Sequence, residues 1–325
     1  MSRPYRPIQP SQGNKLFLRS LAVVYVVYLV VFGHFLYTST FAPAGTIVDH
    51  TVNANADGIK HWTPSSMRNA ADADQQVGTI PDLTQGNSDT NQGKAVRQQG
   101  QRPRSGNPMY PLSTVGRVFF TNSAGQDSSC SGTAVVSLNQ SIVDTAGHCL
   151  YWNGGWVQNL IFCPLYENGN TPYGCWAARD LEVPADWIHA GPNDFHHDFG
   201  MAIVSPNSQG ALTDLVGGSG WAYNQPANQV FSAYGYPARS PFDGQRREAC
   251  EDAPGTLRQH AGNPVVSIPC GMTGGSSGGP WFIKINGNWY VNGHNDFTTW
   301  SLYGHMFSPY YDNTWYTLYD KAQHA

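Results

Sequence analysis

Gly274-Gly275-Ser276-Ser277-Gly278-Gly279-Pro280 is the most specific string in the chain, and the residues just after it decide the fold. The bare pattern Gly-x-Ser-x-Gly suits two architectures. In an α/β hydrolase the serine turn runs into a helix, with an acid and then a His further on. Here Trp281-Phe282-Ile283-Lys284-Ile285 and Trp289-Tyr290-Val291 flank Asn286-Gly287-Asn288, two β-prone runs about a turn, which reads as a hairpin. The hydrolase-elbow reading fails on that hairpin. There remains a serine in a Gly-rich turn whose backbone N–H groups, those of Gly275 and Ser277, can converge on a developing oxyanion. A side chain at Gly275 would crowd the carbonyl being attacked.

Runs of the same kind recur at 116–120, 132–136, 200–204 and 230–234, always separated by turn residues. Gly and Pro number 35 and 22, aromatics make up 13%, and charged residues only 12% against a usual value of about 25%. Such a composition suits many short strands and excludes a coiled coil or a helical bundle. Helical periodicity is convincing only at 309–322, where Tyr311, Trp315, Leu318 and Tyr319 share a face. The formal charge of -4 and pI near 6.2 lack the basic excess that nucleic acid demands. With no Gly-rich phosphate loop and no Cys pair at two-residue spacing, neither nucleotide, cofactor nor structural zinc is expected.

Arg3, Arg6, Lys15 and Arg19 precede residues 21–32, which carry no charge, and the apolar character resumes through Phe35-Leu36-Tyr37. Ala42-Pro43-Ala44 then offers a small-x-small site. Residues 1–44 read as a signal peptide cleaved after Ala44, or 21–37 remains as an anchor with the body outside the cell. Residues 45–105 are rich in Asn, Gln, Asp, Ser and Gly, with Trp62 the only aromatic and no Cys. A low-complexity segment of this kind has little apolar surface to bury. It reads either as a propeptide removed on activation, with Arg97, Arg102 and Arg104 marking where processing falls, or as a flexible linker.

All six cysteines lie beyond it, and an even number in an exported chain implies disulfides. Cys130 and Cys149 are symmetric about Leu138-Asn139-Gln140-Ser141, and Cys163 and Cys175 straddle Glu167-Asn168-Gly169-Asn170. Two hairpins bring these pairs together, which leaves Cys250 with Cys270. Thr145-Ala146-Gly147-His148-Cys149 comes directly after the run Ser141-Ile142-Val143, so His148 is held at a strand end beside a disulfide. A serine nucleophile needs such a base. In His196-His197-Asp198-Phe199-Gly200-Met201, Asp198 sits at the mouth of an apolar strand, where its carboxylate can be buried against an imidazole. His196 and His197 invite a metal with Asp198, but no third His stands at helical spacing, and no metal is expected.

Together these three strings resemble the chymotrypsin-like serine peptidases, in which His, Asp and Ser occur in this order. More narrowly, Trp156, Pro172-Tyr173-Gly174, Trp176-Ala177-Ala178-Arg179 and Asp198-Phe199-Gly200 are similar to the secreted bacterial branch related to glutamyl endopeptidases. The resemblance covers about 110–319. It implies an all-β peptidase domain at 106–325 made of two six-stranded antiparallel β-barrels, about 106–210 and 211–308, with a C-terminal helix at 309–322. It further implies a secreted, monomeric serine endopeptidase made as a zymogen and free of the membrane after processing, with protein or peptide substrates. In it Ser277 is the nucleophile, His148 the base and Asp198 the orienting acid, with Asp194 next in line. A catalytically inactive trypsin-fold binding protein is the alternative. For the S1 pocket the resemblance points to Gly271, Met272 and His294. Gly271 stands where trypsin-type members carry an Asp, which disfavours a basic P1 residue. His294 offers a donor to a Glu side chain, whereas Met272 replaces the usual Thr or Ser and leaves a neutral or apolar P1 residue open.

Overall fold

The computed structural model describes residues 43, 45–52, 56–76, 84–85, 96–98, 100, 109–191, 194–299 and 302–325. The chain divides into two compact units, Met1–Pro43 and Ala44–Ala325, and of the first only Pro43 is described. The apolar stretch 21–37, the residues flanking Pro43, and Arg102 and Arg104 lie outside the described residues. Among the described residues no helix is long and apolar enough to cross a membrane.

Six strands, Val115–Thr121, Asp127–Val135, Ile142–Ala146, Gln158–Pro164, Trp176–Pro184 and Phe199–Val204, each pair antiparallel with two of the others. The ladder therefore closes on itself as a barrel. Phe199–Val204 shows how the sequence specifies this. Ala202 and Val204 face the barrel interior with Val143, Phe162 and Trp176, while Phe199, Met201 and Ile203 face Trp221, Tyr311 and Trp315 on the other side. Side chains alternate with period two, and both faces are dry, so the run is apolar throughout.

In the second half, Gly220–Tyr223, Val230–Gly235, Glu248–Pro254, Pro280–Ile285 and Asn288–His294 form one sheet, and Thr256–His260, Asn263–Pro269 and His305–Pro309 another. Phe231, Ile268, Trp281, Ile283 and Met306 fill the space between them. Two local features mark this half. Gly220–Tyr223 runs parallel to Asn288–His294. The chain also bends between the sheets at Gly255, where a Cβ would come within 2.3 Å of the Ala227 carbonyl oxygen.

The C-terminal helix begins at Asn313 rather than near 309, because His305–Pro309 is a strand paired with Asn263–Pro269. Asp312 caps it, its Oδ1 accepting the N–H of Thr314 at 2.7 Å and of Trp315 at 3.4 Å. Ala185–Ala190 and Leu212–Val216 are also helical, in pieces too short for periodicity to show. The structure joins Cys130 to Cys149, Cys163 to Cys175 and Cys250 to Cys270.

Part of the leader, 45–76, is docked on the first barrel, which its polar composition did not foretell. Ile47–Thr51 adds an antiparallel strand to Asp180–Pro184. Helices Ala56–His61 and Pro64–Asn69 come next, the second opened by a capping box between Thr63 and Ser66. Between them Trp62 is buried, its Nε1 donating to the Asn159 carbonyl at 2.8 Å and its ring centroid 5.3 Å from that of Phe119. Met67 and Ala70 join the same apolar cluster, and Ala71–Asp72 then pairs in parallel with Ser128 and Ser129. Apolar residues are sparse in the leader, but these few are placed against the barrel.

Candidate active site

The pairing of Ile142–Ala146 with Phe199–Val204 sets Ala146 opposite Phe199, so the residues just beyond, His148 and Asp198, meet. His148 lies in a single 3₁₀ turn, Gly147–Cys149. Its Nδ1 is 2.8 Å from Asp198 Oδ2, and its backbone N–H donates to Oδ1 at 2.7 Å. Both carboxylate oxygens are engaged and the ring is held in one orientation, with Nε2 turned away from Asp198. Burial alone would raise the Asp198 carboxyl, but the His148 charge and its hydrogen bonds prevail and hold it below the ordinary range. For His148 burial pulls downward, and the carboxylates of Asp198 and then Asp74 outweigh it, lifting the imidazole well above its usual value.

Ser277 is carried by a turn that only glycine can make at two places. Gly275 and Gly278 have φ of 91° and 80°, and a Cβ on Gly278 would meet Thr145 Oγ1 at 2.1 Å. The turn is stitched to the first barrel by Ser131, whose N–H donates to the Ser277 carbonyl at 2.7 Å and whose Oγ donates to the Gly275 carbonyl at 2.9 Å. Among the described residues, the N–H groups of Gly275 and Ser277 have no acceptor. The Ser277 hydroxyl has two acceptors in reach, Asp74 Oδ1 at 2.7 Å and the Asp296 carbonyl at 3.1 Å. Its hydrogen bonds do not include His148 Nε2, which instead lies 3.3 Å from the same Asp74 oxygen.

Beside Ser277 opens a cavity of about 390 Å³, whose lining includes Gly271, Met272, Thr298, Thr299 and His305. His294 does not line it, which corrects the placement expected from sequence. That side chain is fully buried, its Nδ1 2.9 Å from Tyr311 Oη and its Nε2 3.1 Å from the Asp198 carbonyl. Its strand turns it inward to the seam between the two halves. Burial there lowers its pKa to about 4. The imidazole that lines the cavity is His305, whose Nδ1 is buried and has no partner among the described residues.

Two alternatives that the sequence left in second place are not met. Asp194 is engaged by His197, with Nδ1 to Oδ2 at 2.6 Å, and not by His148. His196 turns to the Pro264 carbonyl at 3.1 Å and to Asp312 Oδ2 at 3.4 Å, so neither adjacent His groups with Asp198. Asp296 is an acid that sequence reasoning missed. Fully buried, it places Oδ1 3.6 Å from His148 Nδ1 and lies against the Asp198 carboxylate. Burial first, and then the Asp198 charge, push this carboxyl well above the carboxylate range, so it stays protonated beside an ionised Asp198. Two groups among the described residues have metal-ligand spacing: Cys130, His148 and Cys149, whose sulfurs are used in a disulfide, and His148, Asp198 and Asp296.

No protein-family model matches the sequence. No curated protein matches it either. Among solved structures, a thermostable serine protease AL20 from an extremophilic microorganism is 39% identical, over 66% of this chain and 98% of its own, with a TM-score of 0.60. The protease Anisep from Arthrobacter nicotinovorans is 35% identical, over 71% of this chain and 100% of its own, with a TM-score of 0.59. Identity at that level across nearly the full length of both relatives, on the same β architecture, shows that this chain belongs to the bacterial serine proteases of the chymotrypsin fold, hydrolases that cut within peptide chains.

Proposed function

We propose that the protein is a secreted endopeptidase that works through Ser277, His148 and Asp198 and is made as a precursor whose leader is removed. The observation that carries this is the His148–Asp198 couple, with both carboxylate oxygens occupied at 2.7 and 2.8 Å and Nε2 directed to the serine side. Once no carboxylate stands between them, Ser277 Oγ attacks the peptide carbonyl carbon while His148 Nε2 takes its proton. The oxyanion is received by the N–H groups of Gly275 and Ser277. His148 returns the proton to the leaving amine, and the acyl-enzyme is then hydrolysed by a water that His148 deprotonates in the same way. Asp198 stays ionised throughout, fixing the tautomer. Three disulfides and the charge-free stretch at 21–32 support export.

For P1, the walls at Gly271, Met272, Thr298 and Thr299 suit a neutral side chain of moderate size. A second reading, preference for Glu, is favoured by His305, the imidazole in the cavity lining, which can give a carboxylate a ring N–H. Ser277→Ala should lower turnover roughly a million-fold with the fold intact, and near wild-type activity in that variant would refute the assignment. Matched Glu, Gln and Leu P1 peptides on wild type and His305→Gln decide specificity. Loss confined to the Glu peptide supports the second reading, and an unchanged ratio removes it.

A further inference from the structure

The role of Asp74 rests on the triad reading and deepens it. The same Asp74 oxygen that accepts the Ser277 hydroxyl at 2.7 Å lies 3.3 Å from His148 Nε2, and so stands between the two groups that must exchange a proton. Asp74 is not delivered there by a loose end. Two residues earlier, Asp72 has a side chain only 2% exposed, and Arg239 holds it from Nε at 3.1 and 3.2 Å and from Nη2 at 2.8 Å. A charge-assisted, forked pair of this kind offsets the desolvation of a buried carboxylate. Gly274 makes the room, because a Cβ there would fall 2.5 Å from Asp72 Oδ1. The pairing of Ala71 and Asp72 with Ser128 and Ser129 fixes the depth at which the segment sits. The group that reaches Ser277 is a side-chain carboxylate, which offers neither an electrophilic amide carbonyl nor an amine leaving group.

We propose that the groove running from Arg239 to Ser277 is a binding site for an acidic Asp-x-Asp segment, which the leader fills in cis through Asp72 and Asp74 as an uncleaved inhibitor of the unprocessed chain. Asp72 is the anchor, and Asp74 accepts the serine's hydrogen bond in place of His148. The added negative charge beside His148 also favours the imidazolium, which cannot accept that proton.

The test uses the full chain and a fluorophosphonate probe, which forms a bond from Ser277 Oγ to phosphorus with loss of fluoride and is followed by intact mass. Wild type should react slowly. Asp74→Ala and Asp72→Asn should each react faster, by roughly tenfold or more, the effect of losing one charge-assisted hydrogen bond or ion pair. Thermal melting shows which variants are folded, and since the two substitutions disturb different contacts, either one suffices. Wild type reacting as fast as a folded variant overturns the inference and leaves the triad standing. If wild type and both variants all fail to react, as a Ser277→Ala control must, the nucleophile assignment falls and this inference falls with it.

Discussion

The two nitrogens of His148 face different acids, and the difference sets what each acid is worth. Nδ1 is fixed by Asp198 at 2.8 Å, within hydrogen-bond reach, whereas Asp296 at 3.6 Å is not. Asp198→Asn keeps the volume but can turn an amide N–H toward Nδ1, which leaves the proton on Nε2 and the base unable to act. Its kcat should drop roughly ten-thousand-fold, as in the archetypal triad, while Asp296→Asn, whose amide N–H can stand in for the carboxyl proton facing Asp198, should cost under about tenfold. Peptide hydrolysis by the two variants, side by side, checks the pair, and equal losses would make Asp296 an orienting acid as well. At this scale the sequence was most readable where neighbours along the chain do the placing. Ser277, Gly275, His148 and Asp198 each sit inside a string that declares its own turn or strand end. Asp296, Arg239 and Asp74 are brought to the site by contacts between residues far apart in the chain, and no local pattern marks them. His294 was misplaced for a related reason: its strand was legible, but which of its faces meets the pocket depends on Tyr311, seventeen positions away.

The C-terminal helix is tied to the first barrel by a buried polar chain with a consequence for stability. Asp144, on Ile142–Ala146, receives Trp315 Nε1 at 3.0 Å and lies 2.5 Å from Tyr311 Oη, which in turn lies 2.9 Å from His294 Nδ1. Tyr311 Oη and Trp315 Nε1 both donate to Asp144, so this carboxyl sits fully buried with no cation beside it and only two neutral donors to offset the loss of water. Burial does push the Asp144 carboxyl up to about 7, against the two hydrogen bonds that pull it down. A carboxyl raised in this way holds its proton in the fold after the unfolded chain has released it, so stability falls as pH climbs from about 4 to about 7. Asp144→Asn is neutral at every pH. Relative to wild type it should gain up to about 4 kcal/mol between pH 4 and pH 8, at 1.36 kcal/mol per unit. Urea unfolding at the two pH values measures this, and a constant difference would show that Asp144 is ionised in the fold. Elements were legible where apolar runs were dense, as at Phe199–Val204. Glu248–Pro254 was missed because most of its side chains are exposed and polar, and the helix was begun too early because Pro309 reads as a helix start when its strand partner is unknown.

Across the whole chain, the leader is held at points well separated from the serine. Trp62 is the largest of these, and Trp62→Ala should loosen 45–76 without touching Asp72 or Asp74. Limited proteolysis within those residues should then speed up roughly tenfold or more, through a local opening, while the melting of the barrels stays near wild type. Unchanged cleavage would mean that the other contacts, among them the strand Ile47–Thr51, the Ala71–Asp72 pairing and the Arg239 pair, hold the leader without Trp62. The chymotrypsin-like body was readable as a whole because six cysteines and the strings around His148, Asp198 and Ser277 are spread through it. The docking of the leader was not, since its segment is polar on average and its few anchors work only against surfaces that the rest of the chain supplies. That Asp72 and Asp74 share a chain with Arg239 and Ser277 has one more effect. Their encounter is unimolecular, governed by an effective concentration that no dilution of the protein can change. A single cut between the leader and the body makes it a two-body equilibrium, and wherever the freed peptide disperses, that equilibrium runs one way.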